Sequence, residues 1–178
     1  PPHIEGELTV SSTKVRQKLR CGDLAAAHAL LGRKHAWRGE VVAGDGRGRT
    51  LGFRTANLEA TETHQILPAE GVYAVQVSLV SENQIRAGSA METKSWGGMV
   101  NIGHRPTFDH VGDRPTVEAH LFTTENPDLY GTELEVVFCE RMRDTQKFKG
   151  SDALIEQLKS DAAQAKRILG YDSNHGAR

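Results

Sequence analysis

The chain has 178 residues, of which 38% are hydrophobic and 25% are charged, a balance that indicates one globular domain rather than two. Its net charge is −1 at neutral pH and its pI is near 6.8, so it has no overall field to attract a nucleic-acid backbone or an anionic membrane. No apolar run in the sequence approaches the roughly 20 residues that cross a bilayer.

Two helices are predicted at the start of the chain. The hydroxyl side chains at 11–13 can cap a helix in which Val15 and Leu19 share one face. Asp23 is a second cap, and the Ala- and Leu-rich segment that follows it ends at Gly32. We therefore expect a short helical pair before the first barrel strand.

The middle of the chain has the composition of short strands bounded by Gly, Pro, Asn and Asp. The predicted strands are residues 37–43, 72–80, 86–92, 96–102, 116–122 and 133–139. Within two of them, Tyr73, Val75, Val77 and Leu79, and then Leu134, Val136 and Phe138, alternate onto one face. Short connections favour antiparallel pairing, so the pattern indicates a small closed barrel or a sandwich.

The end of the chain returns to a helical pattern from Ser151 onward, and Asp152 complements the positive end of the helix dipole. An apolar stripe near the 3.6-residue period is formed by Leu154, Leu158, Ala162, Ala165 and Leu169. Residues 172–178 offer nothing to pack, and we expect them to be a flexible tail.

A Gly-rich loop, residues 44–52, is the most unusual stretch. Its four glycines let backbone N–H groups approach a polyanion, and Arg47 and Arg49 can bind phosphate oxygens. Thr55 and Asn57 then point the same way on an extended segment, where their oxygens suit a Mg²⁺ shared with ATP phosphates. The alternative is an ordinary loop in which Thr and Asn make turn bonds. The stretch is not a Walker loop, because no Gly-Lys-Ser/Thr follows.

Glu118 and His120 alternate onto one face of a predicted strand. If that face lines the barrel, the carboxylate is partly desolvated, and it could accept the proton of an attacking alcohol. In the alternative, Val117, Ala119 and Leu121 face the core while Glu118 and His120 face water.

A third stretch, residues 141–148, mixes basic, amide and aromatic side chains. These could hold a planar heterocycle, or the stretch is a solvated connection between the last strand and the final helix.

Residue types that would indicate a disulfide scaffold or a zinc site are sparse. Cys21 and Cys139 are the two cysteines, and we expect both to be reduced thiols in a cytoplasmic protein. The histidines, of which His104, His110 and His120 form the nearest approach to a group, lack a zinc-ligand spacing.

Taken together, these stretches resemble riboflavin kinase, the kinase half of bacterial bifunctional FAD synthetases. The family pattern is a Gly-rich loop that leads into Gly-x-Pro-Thr-Ala-Asn. The resemblance covers about residues 33–169, through the segments 44–57, 67–74, 101–108, 117–120, 128–131, 141–144 and Phe148.

The resemblance implies a six-stranded antiparallel, Greek-key-like barrel with a C-terminal helix and a short N-terminal helical segment. It implies ATP-dependent phosphorylation of riboflavin at the ribityl 5′-hydroxyl, giving FMN and ADP, with Glu118 as the general base. The implied binding residues are Thr55 and Asn57 for Mg²⁺ and ATP, Gly44 and Arg49 in the loop over the phosphates, Leu121, Thr123 and Tyr130 along the nucleotide, and Arg143, Gln146 and Phe148 on the flavin.

The resemblance also implies where the domains of the chain begin and end. Residues 10–16 resemble the segment that closes the adenylyltransferase half of the bifunctional enzymes, so we interpret residues 1–32 as a residual helical tail of that domain or as a linker. Residues 33–171 would form the kinase barrel with its helix. The first residue is Pro1 rather than Met, which is typical of a fragment or a processed product, and we do not expect this chain to adenylylate FMN.

One departure from the family pattern is Arg54, which stands where the family has Pro before Thr-Ala-Asn. Proline would fix φ near −65°, whereas Arg restores conformational freedom. Either Arg54 reaches the phosphates and activity is kept, or the chain is a flavin- or nucleotide-binding barrel with weak or no catalysis. A barrel that binds single-stranded nucleic acid is a poorer alternative, because aromatics are only 6% and the net charge is slightly negative.

Overall fold

A closed antiparallel barrel forms the centre of the molecule. The computed structural model describes residues 3–5, 8–44, 52–80, 94–104, 115–125 and 127–171. The elements are β1 (His3–Glu5), β2 (Leu8–Val10), α1 (Ser12–Arg20), α2 (Leu24–Leu31), β3 (Ala36–Val42), β4 (Ala56–Ala60), β5 (Gly71–Leu79), β6 (Ser95–Gly103), β7 (Thr116–Leu121), β8 (Glu133–Arg143) and α3 (Ser151–Ile168). β1 and β2 form a small antiparallel pair, and the barrel order is β3-β4-β7-β6-β5-β8. The expected mainly-β fold, a six-stranded antiparallel barrel with helices at both ends of the chain, is confirmed.

The barrel interior is filled by alternate side chains of its strands, as the period of two predicts. Tyr73 and Phe138 meet edge to face there, with ring centroids 5.3 Å apart. Each large apolar side chain that is fully buried contributes roughly 1.5–3 kcal/mol. The largest of these in the barrel are Trp37, Tyr73, Phe138, Ile102, Leu134, Val75, Val77, Val100 and Val136. Because the interior is packed, any ligand site has to lie on the outer face or at an end.

Both N-terminal helices begin where the sequence predicts, and α2 also ends at the predicted residue. Ser11 accepts a hydrogen bond from the backbone N–H of Lys14 at 3.2 Å, and Asp23 accepts one from Ala26 at 3.1 Å. Gly32 ends α2 in the left-handed conformation, with φ of 66°. Their buried side chains join the barrel core: Val15, Leu19, Leu24, Ala27 and Leu30.

Helix α3 packs on the outside of the barrel. Ala165 is buried there with Ala74 of β5 and Met99 of β6. The helix begins at Ser151 with Asp152 in its first turn, as predicted. A second, smaller apolar cluster therefore covers part of the outer barrel face. Among the described residues, no helix is long and apolar enough to span a membrane.

The strand predictions differ from the described structure at β4 and at the end of β8. β4 was not predicted as a strand, because residues 56–60 form a short segment with no β-branched or aromatic residue. β8 continues to Arg143, four residues beyond its predicted end, with a register irregularity against β5. The predicted strand 86–92 and the predicted flexible tail 172–178 lie outside the described residues.

Candidate active site

Three polar side chains form a row across neighbouring strands. Asn57 of β4 lies directly opposite Glu118 of β7, which in turn lies directly opposite Asn101 of β6. Residues that are directly opposite in an antiparallel sheet share a face, with Cβ atoms about 4.5–5.5 Å apart. A carboxylate is therefore flanked on both sides by amides.

This row lies on the outer face of the barrel. Val117 and Ala119, the neighbours of Glu118 along β7, are only 2% and 1% exposed and point into the core. Glu118 points the other way and is half-buried. The interpretation in which Glu118 lines the barrel interior is therefore wrong. The interior takes apolar side chains because an unpaired carboxylate there would lose its hydration. The Glu118 side chain nevertheless lies beside Asn57.

Gly44 lies against the side chain of Asn57. A Cβ atom added at Gly44 would lie 1.8 Å from the Asn57 amide nitrogen, a separation that no real structure tolerates. The two are brought together because Val42 of β3 is paired with Asn57 of β4, two residues before Gly44. The main chain at the start of the Gly-rich loop thus approaches the polar row as only glycine permits. Arg49 and the rest of residues 45–51 lie outside the described residues.

Thr55 is half-buried and immediately precedes β4. The carbonyl of the preceding residue, Arg54, is 2.7 Å from Nδ1 of His120 on β7. Burial lowers the pKa of the His120 imidazole below its ordinary value of 6.5. A neutral ring with its proton on Nδ1 donates to that carbonyl and ties the segment before Thr55 to the strand that carries Glu118.

Oxygen ligands for a metal ion are available in this row. Asn57 and Thr55 offer neutral oxygens two residues apart at the start of β4. Mg²⁺ takes oxygen ligands, keeps several waters and is bound together with substrate phosphates, so these two donors fit an ion that ATP shares. Among the described residues, no cluster of three or more His, Cys, Asp or Glu side chains forms a metal site.

The residues expected along the nucleotide are spread around one end of the barrel. Leu121 packs against the barrel core, so only part of it faces outward. Thr123 follows β7 and accepts a hydrogen bond from the N–H of Glu125 at 3.1 Å. Tyr130 is 69% exposed, and the residue after it donates its backbone N–H to Val41 of β3. Tyr130 therefore lies near the strand that leads to Gly44.

The residues expected on the flavin lie at the far side of the row. Val72 of β5 is opposite both Asn101 and Arg143, which brings Arg143 onto the same transverse line as Glu118. With about 4.8 Å between strands, Arg143 is about 14 Å from Glu118 along the sheet. Gln146 is exposed and Phe148 is half-buried in the connection that follows β8.

Arg143 makes an ion pair that the sequence did not indicate. Its Nε and Nη2 donate to the carboxylate of Asp161 on α3, at 3.0 and 2.6 Å, and Asp161 is 1% exposed. Gln157 donates to the same carboxylate at 2.8 Å. The sequence did contain a clue to Asp161, because this charged residue lies on the apolar face of the final helix, three residues after Leu158. The clue to Asn101 was an amide side chain in an otherwise apolar strand.

Comparisons with known proteins agree on one family. A sequence profile of the Flavokinase family, described as riboflavin kinase, matches residues 31–169. A protein of Escherichia coli (strain K12) described as bifunctional riboflavin kinase/FMN adenylyltransferase is 40% identical over 166 residues, 93% of this chain and 48% of that protein. A Bacillus subtilis (strain 168) protein with the same description is 35% identical over 166 residues. The chain therefore spans about half the length of the curated relatives it matches.

A solved structure also resembles most of the chain. It is a crystal structure from Streptococcus pneumoniae described as a macrolide-efflux protein, with a TM-score of 0.76 and 35% sequence identity. The match covers 94% of this chain and 49% of that protein. As with the sequence relatives, about half of the matched protein has no counterpart here.

Proposed function

Because the chain belongs to the riboflavin kinase family, we propose that it phosphorylates riboflavin at the ribityl 5′-hydroxyl with ATP, giving FMN and ADP. The observation that best supports this activity is the transverse row in which Glu118 lies between Asn57 and Asn101, next to the close approach of Gly44. The carboxylate, the two amides and the exposed backbone of Gly44 are groups that can bind an alcohol and a polyphosphate side by side.

Glu118 is proposed as the general base. The 5′-oxygen of riboflavin forms a bond to the γ-phosphorus while the bond from that phosphorus to the β,γ-bridging oxygen breaks. The hydroxyl proton passes to the Glu118 carboxylate, and ADP leaves. Because phosphoryl transfer proceeds through a loose transition state, the proton leaves late and an ordinary carboxylate suffices as the base.

Thr55 and Asn57 are proposed to hold Mg²⁺ together with ATP, and the loop 44–52, including Arg49, to cover the phosphates. When bound, the ion would neutralise charge on the β- and γ-phosphates. The chain's own contribution is positional. Asn57 holds its amide between Gly44 and Glu118, so a phosphate near the loop is also near the base.

The two substrates are proposed to lie along the row in opposite directions. Leu121, Thr123 and Tyr130 would border the nucleotide at the β3 and β7 end. Arg143, Gln146 and Phe148 would contact the flavin ring system. The separation of about 14 Å between Glu118 and Arg143 along the sheet leaves room for a ribityl chain between base and ring.

An adenylyltransferase domain is proposed as a covalently linked partner in the parent protein. The relatives from Escherichia coli and Bacillus subtilis are described as bifunctional, and this chain covers 48% of each. We propose that residues 1–32 belong to that domain or to the linker, and that residues 33–171 form the kinase barrel. The unbridged thiols Cys21 and Cys139 support a cytoplasmic location.

A second candidate is a barrel that binds flavin and nucleotide but does not catalyse. Arg54 in place of the family's Pro is the observation that favours it, because Arg does not fix φ at the residue before Thr55, and a change of φ there would displace the metal ligands.

Incubation with riboflavin, Mg²⁺ and ATP, followed by chromatographic separation of the flavins, distinguishes the two candidates. The kinase makes FMN and ADP in equal amounts and makes none when ATP is left out. Quenching of riboflavin fluorescence on binding, without FMN, would identify the binding barrel instead.

A further inference from the structure

A side chain of β7 holds the segment just before Thr55. Nδ1 of His120 lies 2.7 Å from the carbonyl oxygen of Arg54. A carbonyl oxygen only accepts hydrogen bonds, so the proton of this bond lies on Nδ1. His120 and Glu118 are two residues apart on β7 and share its outer face. The strand that carries the proposed base thus also holds the main chain that leads into the metal ligands.

The ring of His120 has little freedom to leave this bond. Phe53 packs on one side, with ring centroids 5.1 Å apart, and Phe122 meets it edge to face at 5.8 Å. Phe122 in turn contacts Tyr171, whose hydroxyl accepts a hydrogen bond from the N–H of Gly97 at 2.8 Å. A row of rings therefore runs from Phe53, before Thr55, to Tyr171, beyond the end of α3.

Arg54 is the position at which this chain departs from the family pattern. Its backbone lacks the ring that would fix φ, and residues 54 and 55 lie before β4, which begins at Ala56. The bond from His120 acts on the carbonyl of the same residue. This hydrogen bond restrains the main chain at Arg54, as a proline ring at that position would do by fixing φ.

We propose that His120 is a positioning residue of the kinase site: by donating from Nδ1 to the Arg54 carbonyl, it fixes the placement of Thr55 toward the metal-bound triphosphate. This inference rests on the proposed function, because only a kinase site would have Thr55 bind a metal–triphosphate complex. His120 itself touches neither substrate; it acts through the main chain of residues 53–55.

Two amide substitutions test the bond. The side-chain nitrogen of Asn occupies the position of Nδ1 in His, whereas that of Gln reaches the position of Nε2. In His120→Asn, the affinity for Mg·ATP in an equilibrium titration should stay within about threefold of wild type. In His120→Gln, it should fall about tenfold, as expected for the loss of one hydrogen bond. Amide hydrogen exchange at residues 53–55 should rise in the Gln variant only. Equal behaviour of the two variants in both measurements would overturn the proposal.

A proline at position 54 provides an independent test. In the His120→Gln background, Arg54→Pro should restore most of the lost affinity, because the ring replaces the missing restraint. In the wild-type background it should change affinity by less than about threefold. An equal effect in both backgrounds would show that the two restraints are independent, which contradicts the proposal.

These measurements also separate this inference from the proposed function. Exchange and nucleotide affinity are read without turnover. A wild-type chain that binds Mg·ATP and makes no FMN would refute the kinase activity, while the comparison of the Asn and Gln variants would still decide the role of His120. A wild-type chain that does not bind Mg·ATP would refute both.

Discussion

The contact between Gly44 and Asn57 shows how the choice of one residue, a glycine, shapes the site. The Asn57 amide occupies the space in which any other residue at position 44 would have its Cβ atom. The glycine is needed for this close approach, and not for a turn conformation. The placement of Asn57, a proposed metal ligand, and the main-chain position of Gly44, where the proposed phosphate loop begins, are therefore set by one contact.

Replacing Gly44 by Ala is expected to displace Asn57. Overpacking of this kind costs about 1–3 kcal/mol, so KM for Mg·ATP should rise about tenfold or more, while KM for riboflavin changes little. Steady-state kinetics with each substrate varied in turn would measure both constants. Gly150→Ala is the matched control, because an added Cβ there meets nothing within 4 Å. A Gly44→Ala enzyme with unchanged nucleotide kinetics would separate this contact from ATP binding.

The sequence predicted some of these residues and not others, for a physical reason. Gly44, Thr55, Asn57 and Glu118 belong to short motifs whose spacing along the chain can be read directly. That Asn101 flanks Glu118 depends on the register between β6 and β7, which loops and packing determine. On β7 the polar Glu118 and His120 alternate with the apolar Val117, Ala119 and Leu121, and alternation alone does not decide which set faces outward; in the structure the apolar set packs in or against the core.

At the scale of elements, the buried carboxylate of Asp161 anchors α3 to β8. It accepts hydrogen bonds from both the Arg143 guanidinium and the Gln157 amide, and its side chain is 2% exposed. Apolar contacts around Ala165 hold the same helix against β5 and β6. The ion pair thus orients α3 on the barrel and at the same time fixes Arg143 beside the proposed flavin site.

Removing this charge should destabilise the protein strongly. Asp161→Asn leaves the Arg143 guanidinium without its counter-charge, and breaking a buried pair costs about 3 kcal/mol or more. For a chain of this size the melting temperature should fall by roughly 6–12 °C. Asp152→Asn, in the exposed first turn of the same helix, should lower it far less. Equal melting temperatures for the two variants would contradict the anchoring role.

Element boundaries followed the strength of the local signals. Caps at Ser11, Asp23 and Gly32 gave both N-terminal helices, since capping is a local hydrogen-bond pattern. β4 was missed because it is stabilised by its neighbours β3 and β7 rather than by its own composition. The barrel was therefore predicted with six strands, but one of its members was not identified.

At the scale of the whole molecule, core and site are separated by the thickness of one sheet. The inner face of the barrel is apolar and packed, and the proposed catalytic row lies on the outer face, where Gly44 approaches Asn57. Substitutions at outward positions of β4, β6 and β7 can therefore alter catalysis while the core stays intact.

Stability should fall as the solution becomes mildly acidic. Burial lowers the pKa values of His28, His35 and His120 below the ordinary value of 6.5, so the folded state favours their neutral forms. The unfolded state takes up protons first as pH drops through 6.5. The stabilisation is therefore complete above that pH and is lost as pH falls toward the lower pKa values of the folded state.

His35→Gln isolates one of these contributions. The Gln amide nitrogen replaces Nε2, which lies 2.8 Å from the carbonyl of Ile66, without a group that titrates. Urea unfolding at pH 8 and pH 5.5 should show a smaller loss of unfolding free energy for this variant than for wild type. The same loss in both proteins would mean that His35 does not contribute to the acid sensitivity.

The turnover of a Glu118→Gln variant is the most direct test of an outer-face kinase site. Removal of a general base typically costs about 10²-fold or more, so FMN formation should fall by at least that factor while riboflavin and Mg·ATP still bind. Glu59→Gln, an exposed carboxylate on the outer side of β4 two residues beyond Asn57, should keep its rate. FMN formation by Glu118→Gln at the wild-type rate would contradict the proposed site.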